Sequence, residues 1–264
     1  MKDLRDISLY LLDMDGTIYL GDRVFACTLP FLSLLREQGK HYIFLTNNCT
    51  RNRNAYLKRL EKMGIPVEPN GVFTSGEATT IYLNRQKPGA RIYLLGTPSL
   101  EEEFREAGFV LTDQNIDYAV LGFDTALTYE KLRKLCDFVR CGTPFVATHP
   151  DLNCPTDGGF IPDVGSMLAL VRASTGRDPD YIVGKPNRGI IDALCEKYNL
   201  RHEDIAMVGD RLYTDIAVGV NAGITSILVL SGESTLEDLA KSDVKPDYVF
   251  RDLSGITNVI RYPS

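Results

Sequence analysis

The sequence lacks the features that mark several large classes of protein. It has no apolar run that approaches the ~20 residues needed to cross a bilayer, so we expect no membrane span. It has no low-complexity tract, and its lysines and arginines are scattered over a chain whose net charge is -6. We therefore expect an ordered protein with neither a nucleic-acid nor a membrane partner. A small phosphate ester remains compatible with this charge, because one lysine and a few backbone N–H groups can hold a single phosphate.

The cysteines are few and widely spaced. There are six, and none forms a Cys-x-x-Cys pair. A chain of 264 residues can bury a core without disulfides, so we expect reduced thiols. The first six residues mix both charges and lack the apolar stretch and cleavage site of a secretory signal. These observations predict a cytoplasmic protein.

Short apolar segments alternate with helical segments along the chain. Residues 7–12 and 41–45 are predicted strands, each followed by a helical pattern closed by glycine. This alternation predicts parallel strands joined by right-handed crossovers. A Lys-Pro-Gly break at 87–89 precedes a second alternating series, and the first pattern returns near residue 181. We predict an α/β fold, with a parallel-sheet core domain of residues 1–84 and 181–264 and an inserted α/β domain of residues 85–180.

Polar residues lie where the predicted core strands end. They are Asp13 and Asp15, Thr46 and Asn47, Lys185, and Asp210 with Asp215. The carboxyl ends of parallel strands meet at one edge of a sheet, where open α/β folds bind ligands. Several carboxylates there would repel one another without a cation, and an all-oxygen set suits Mg²⁺. Because an ammonium and a hydroxyl beside the metal suit a phosphoryl group, we predict Mg²⁺-dependent phosphoryl transfer with a carboxylate nucleophile.

Four segments resemble, in order, the motifs of the haloacid dehalogenase superfamily. They are Asp13-Met14-Asp15-Gly16-Thr17, Thr46-Asn47-Asn48, Gly184-Lys185-Pro186, and the stretch from Gly209 to Asp215. The insert between the second and third motifs is similar to the C2-type cap of the NagD-like or 4-nitrophenylphosphatase branch. The resemblance covers essentially the whole chain. It implies a Rossmann-like core and a Mg²⁺-dependent phosphatase that acts on small-molecule phosphate monoesters.

The resemblance implies different roles for the two aspartates of the first motif. Asp13 would attack phosphorus and form an aspartyl-phosphate. Asp15 would protonate the leaving oxygen and then activate the hydrolytic water. Mg²⁺ would be held by the Asp13 carboxylate, the Asp15 backbone carbonyl and the Asp210 carboxylate.

The other motif residues would bind the phosphoryl group. Thr46, the Asn47 backbone N–H and the Lys185 ammonium would contact the transferring oxygens. Asp215 would orient Lys185 or the metal's waters.

Two further segments are candidates for opening, closing and substrate contact. Residues 16–28 resemble the family's flap beside the nucleophile. In the turn-rich part of the insert, the candidates for substrate contact are His149, Asp151, Asn153, Asp157 and Asp163. All five are also residue types common in ordinary turns and helix caps.

Three other functions remain open from the sequence. A dehalogenase would share the Asp13 nucleophile but needs neither Asp15 as an acid nor Asp210 as a metal ligand. A phosphotransferase or mutase would share the first half-reaction, and a non-catalytic phosphate-binding protein would bind without turnover. The sequence does not select among sugar phosphates, nucleoside monophosphates, phosphoglycolate and pyridoxal phosphate. The family's caps sometimes dimerise, so a homodimer is one expectation.

Overall fold

The computed structural model describes residues 2–156 and 158–262. The strands are β1 (Leu9–Leu12), β2 (Tyr19–Leu20), β3 (Arg23–Val24), β4 (His41–Thr46), β5 (Val72–Thr74), β6 (Arg91–Leu95), β7 (Val110–Leu111), β8 (Tyr118–Leu121), β9 (Phe145–Ala147), β10 (Asn153–Thr156), β11 (Gly159–Pro162), β12 (Tyr181–Ile182), β13 (Ile205–Gly209), β14 (Thr225–Val229) and β15 (Tyr248–Phe250). The helices are α1 (Thr28–Glu37), α2 (Arg53–Lys62), α3 (Ser75–Gln86), α4 (Pro98–Glu106), α5 (Tyr129–Arg140), α6 (Val164–Thr175), α7 (Gly189–Tyr198), α8 (Ala217–Ala222), α9 (Leu236–Lys241) and α10 (Leu253–Arg261). No helix in these ranges is long and apolar enough to cross a bilayer.

The described residues divide into two compact units. The first comprises residues 2–46, 56–73 and 185–262, and the second comprises residues 47–55 and 74–184. The chain therefore passes between the units at four peptide bonds, which follow Thr46, Ala55, Phe73 and Gly184.

The first unit contains a six-stranded sheet in the order β15-β14-β13-β1-β4-β5. β1 pairs in parallel with both β4 and β13, and all four of its residues are buried. A strand covered on both faces requires a continuous apolar run, which Leu9-Tyr10-Leu11-Leu12 supplies. The strand order reverses at β1, since β4 and β5 follow on one side and β13 to β15 on the other. Such a switch point is where open α/β sheets form a ligand crevice.

The second unit contains a five-stranded sheet in the order β12-β9-β8-β6-β7, with all four pairings parallel. A two-stranded antiparallel hairpin is formed by β10 and β11. The predicted α/β class is thus confirmed, with two parallel sheets built from alternating strands and helices.

Two local predictions are wrong. A strand at residues 181–183 was expected in the sheet of the core domain, but β12 pairs with β9 in the second sheet, where Tyr181 opposes Val146. Residues 153–165 were expected to form turns, yet residues 153–162 contain the β10–β11 hairpin. Seven of its eight strand residues are exposed, so the hairpin has no buried face to produce an alternating apolar pattern.

Candidate active site

Asp13 lies just beyond the carboxyl end of β1, at the switch point of the first sheet. Its backbone N–H donates to the Val208 carbonyl at 2.9 Å, which continues the β1–β13 ladder by one residue. Its side chain is 15% exposed, so it retains a path to solvent. Asp13 is therefore held by the two central strands and directed to the edge where the sheet can bind a ligand.

Lys185 is almost completely buried and joins two carboxylates. Its Nζ lies 2.7 Å from Asp13 Oδ1 and 2.6 Å from Asp215 Oδ1. It also donates to the Leu45 carbonyl at 3.3 Å. Burial alone would lower the pKa of Lys185, but Asp13 and Asp215 reverse that effect and raise it. The ammonium is therefore charged at neutral pH and fixed by oxygen atoms on three sides.

Asp210, which follows β13, is enclosed by glycines. A Cβ added at Gly16 or at Gly232 would overlap its carboxylate, and Gly16 also has a φ of +86° that favours glycine. Asp210 Oδ2 accepts the Glu233 N–H at 2.7 Å, and Thr17 Oγ1 lies 3.4 Å from Oδ1. These contacts fix the carboxylate in one orientation.

Sequence reasoning missed the loop after β14. Ser231 Oγ donates to the Gly16 carbonyl at 2.7 Å, and Gly232 and Glu233 contact Asp210 as described above. The available signal was a Ser-Gly pair directly after an apolar strand. We expected the carboxyl ends of the other core strands to carry site residues, and this strand end follows the same rule.

Asp13, Asp210 and Asp215 form a group suited to a cation. One carboxylate oxygen from each lies within 4.8 Å of the others, and Gly16 and Gly232 bring no side chain against Asp210. Burial and the charge of Asp215 raise the pKa of both Asp13 and Asp210. Hard oxygen donors brought this close suit Mg²⁺, which would offset their repulsion. The residues present therefore fit the predicted metal, although the third carboxylate in the group is Asp215, and it is also paired with Lys185.

Asp15 has surroundings that differ from those of Asp13. It is exposed and forms an isolated bridge with Tyr19 at the start of the β2–β3 hairpin. Neighbouring protein atoms nevertheless reduce its hydration enough to raise its pKa, against the opposing charges of Arg59 and Arg211. The carboxyl groups of Asp13 and Asp15 thus differ in exposure and in partners. Such a difference is needed if one carboxyl group is to act as a nucleophile and the other as an acid.

The β2–β3 hairpin lies within the segment predicted as a flap. Arg59 of α2 donates to the Gly21 carbonyl at 3.2 Å, and its guanidinium lies 5.1 Å from the centre of the Tyr19 ring. The hairpin is therefore held against α2 by a hydrogen bond and a cation–π contact.

Thr46 and Asn47 belong to different compact units. Thr46 is the last residue of β4 and is 7% exposed. Since Leu12 opposes Phe44 in the β1–β4 ladder, Thr46 lies at the same edge of the sheet as Asp13. Asn47 follows it in the chain but clusters with the second unit, where its Nδ2 donates to Asp151 Oδ1 at 3.0 Å.

The substrate-contact candidates of the insert do not form one exposed group. His149 is completely buried, and its two ring nitrogens lie 2.9 Å from Thr148 Oγ1 and from Asp163 Oδ1. Both ring nitrogens are thus occupied by protein groups, and a substrate contact by His149 stays a prediction. Asp163 is also buried, Asn153 begins the exposed hairpin, and Asp157 lies outside the described residues.

Comparison with known proteins identifies relatives along nearly the whole chain. A family model of haloacid dehalogenase-like hydrolases matches residues 10–110, and a second such model matches residues 182–256. An acid sugar phosphatase of Staphylococcus aureus is 38% identical over 252 residues, which cover 95% of this chain and 97% of that protein.

Solved structures with the same fold include two phosphatases. The 4-nitrophenylphosphatase of Thermotoga maritima has a TM-score of 0.95 and 47% identity, and the match covers 99% of this chain and 100% of that one. The glycerol phosphate phosphatase of Mycobacterium tuberculosis, solved in complex with magnesium, has a TM-score of 0.88 and 30% identity, with coverage of 96% and 78%.

Proposed function

Since the chain belongs to the haloacid dehalogenase-like hydrolases, in their NagD-like and 4-nitrophenylphosphatase branch, we propose that it is a Mg²⁺-dependent phosphatase that hydrolyses small-molecule phosphate monoesters through an aspartyl-phosphate intermediate. One observation carries the proposal. Asp13, at the end of the central strand, shares the buried Lys185 with Asp215 and lies within reach of Asp210. A carboxylate beside a fixed ammonium and further carboxylates suits nucleophilic attack on a phosphoryl group.

The first half-reaction uses both aspartates of the first motif. An oxygen of Asp13 forms a bond to phosphorus while the bond from phosphorus to the ester oxygen breaks. The departing oxygen takes the electron pair of that bond and a proton from the Asp15 carboxyl. The raised pKa of Asp15 supports this role, because more of the carboxyl remains protonated.

In the second half-reaction, water replaces Asp13 on phosphorus. The Asp15 carboxylate takes a proton from the attacking water, the bond from phosphorus to Asp13 breaks, and inorganic phosphate leaves. Lys185, Thr46 and the Asn47 backbone N–H are proposed to hold the phosphoryl oxygens in both steps.

The proposed Mg²⁺ ligands are the carboxylates of Asp13 and Asp210 and the backbone carbonyl of Asp15. When bound, the ion neutralises negative charge on the phosphoryl oxygens and on the clustered carboxylates. Asp215 is proposed to hold Lys185, which it contacts at 2.6 Å, and thereby to keep the ammonium beside Asp13.

We further propose a functional division of the chain. The first unit would form the catalytic core, and the second unit, which contains the insert predicted at residues 85–180, would form a cap that determines which ester is accepted. The relatives are named for esters of sugars, glycerol and nitrophenol, so a polyol or sugar phosphate is the proposed substrate class. The proposed compartment is the cytoplasm, which keeps thiols such as these six free cysteines reduced.

Removal of divalent metal is expected to abolish activity. Purified protein should hydrolyse p-nitrophenyl phosphate, sugar phosphates and glycerol phosphate, compared by kcat/KM, and a chelator should reduce every rate to background. Added Mg²⁺ should restore the rates, because the carboxylates of Asp13 and Asp210 would again be charge-compensated. Heating curves in chelator serve as the control for unfolding. Full activity in chelator would contradict the metal dependence, and no turnover of any ester would contradict the proposed function.

Replacement of Asp15 is expected to affect poor leaving groups most. The Asp15→Asn variant should lose about 10²- to 10⁴-fold in phosphorylation by glycerol phosphate, because an alkoxide needs a proton to leave. Phosphorylation by p-nitrophenyl phosphate should fall less, since nitrophenolate leaves without one. Rapid-quench measurements should therefore show a burst of nitrophenol followed by slow turnover. Equal losses with both esters and no burst would exclude Asp15 as the general acid.

A further inference from the structure

Six residues of the second unit form a buried group, and the proposed reaction uses only one of them, Asn47, through its backbone N–H. We call it the His149 cluster, and its members are Asn47, Ser75, Thr148, His149, Asp163 and Gly184. All six are buried.

His149 is the centre of the cluster. Its Nε2 lies 2.9 Å from Asp163 Oδ1, and Asp163 also caps α6 by accepting the Val164 N–H at 2.6 Å. Its Nδ1 lies 2.9 Å from Thr148 Oγ1 and 3.4 Å from Ser75 Oγ. Burial alone would lower the pKa of His149, but the bond to Asp163 outweighs it and raises the pKa. The ring is thus fixed on both sides by elements of the second unit.

The hydrogen-bond partners of His149 in turn bind the backbone of Asn47 and of Gly184. Ser75 Oγ donates to the Asn47 carbonyl, and the Gly184 N–H donates to the Thr148 carbonyl at 2.7 Å. Gly184 packs so closely that an added Cβ would lie 2.8 Å from His149 Cβ. The cluster therefore fixes the main chain at Asn47 and at Gly184.

Asn47 and Gly184 both lie where the chain passes between the two units. Asn47 is the first residue of the second unit after Thr46, and Gly184 is the last residue of that unit before Lys185. Each is therefore bonded directly to a residue proposed to bind the phosphoryl group. A third crossing, between Phe73 and Thr74, lies next to Ser75. One hydrogen-bonded cluster thus joins residues at or next to three of the four chain crossings.

We propose that the His149 cluster is a positioning device that sets the placement of Thr46 and Lys185 through the peptide bonds that join them to Asn47 and Gly184. The inference rests on the proposed function. A buried, hydrogen-bonded polar pair such as His149 with Asp163 contributes little net stability compared with apolar residues, so fixed geometry is the better account of its presence. Displacement of reacting groups by about 1 Å can cost about 10²-fold in rate.

The test compares three replacements of His149. We expect the His149→Ala variant to lose about 10- to 100-fold in kcat for p-nitrophenyl phosphate, with KM less changed. His149→Asn keeps a polar group near the position of Nδ1, and His149→Gln keeps one near Nε2. Because the Nδ1 side leads to Ser75 and Thr148, His149→Asn should recover more of the lost kcat than His149→Gln. His202→Gln, which changes an imidazole 3.5 Å from Asp192 on the surface, should match the wild type.

Inhibition by orthovanadate separates positioning from a loss of folded protein. Vanadate resembles the transition state of phosphoryl transfer, and its inhibition constant does not depend on the fraction of active protein. Positioning predicts that this constant weakens in parallel with the fall in kcat/KM. Suppose that the wild type is active and that His149→Ala has the same kcat per folded molecule and the same inhibition constant for vanadate. That result would overturn this inference and leave the proposed function standing. A wild type that hydrolyses no ester would overturn the proposed function and this inference with it.

Discussion

The Asp13→Asn variant is expected to lose about 10⁴-fold or more of the wild-type kcat, because a carboxamide does not attack phosphorus. The substitution keeps the size of the side chain, and the amide oxygen can still accept from Lys185. The fold should therefore survive. The measurement is turnover of p-nitrophenyl phosphate together with rapid-quench trapping of labelled phosphate, which should label the wild type and not the variant.

The control for this variant is Asp6→Asn. Asp6 is exposed in the 3₁₀ turn that precedes β1, so its loss should leave turnover unchanged. Near-normal activity of Asp13→Asn, or equal labelling of the variant and the wild type, would contradict the covalent mechanism.

The Lys185→Met variant is expected to lose both activity and stability. The side chain of Lys185 is 4% exposed and that of Asp215 is 1% exposed, so removal of the ammonium leaves buried charge without its partner. Such a loss typically costs about 3–5 kcal/mol in the free energy of unfolding. Loss of a fixed donor to the phosphoryl oxygens should reduce kcat by roughly 10²- to 10³-fold. Denaturant unfolding and kinetics with p-nitrophenyl phosphate measure the two effects.

A second substitution separates the two effects. Lys185→Met combined with Asp215→Asn removes one of the two carboxylate charges that lose their partner. The free energy of unfolding should therefore recover in large part while activity stays low. Lys241→Met, at an ammonium whose side chain is 72% exposed, serves as the control. Recovery of activity with stability in the double variant would mean that Lys185 acts only in folding.

The sequence predicted the centre of the candidate site because Asp13, Thr46 and Asp210 lie at the ends of continuous apolar strands. β1, β4 and β13 are four to six residues long and almost fully buried, so their ends could be read from the apolar pattern. Parallel pairing then brought Asp13 and Asp210 to one edge of the sheet. The family resemblance added the roles of these residues, which the pattern alone could not supply.

Other features depend on contacts that the sequence pattern does not record. β12 has only two residues, and its sheet is decided by pairing with β9 rather than by its composition. The contact of Gly232 with Asp210 requires the knowledge that β14 lies beside β13. His149 follows a strand and precedes a proline, as a turn residue would, but packing in the second unit buries it completely.

The distance along the chain between the paired site residues has a consequence for synthesis on the ribosome. Asp13 and Lys185 are separated by 172 residues, and β1 lacks its β13 partner until later still. At translation rates of about 5–20 residues per second, the N-terminal strand waits on the order of ten seconds or more for its neighbour. Most of the second unit emerges in that interval and can fold first. The nascent chain therefore carries Asp13 early, yet can complete the proposed site only after Lys185 and Asp210 have been synthesised.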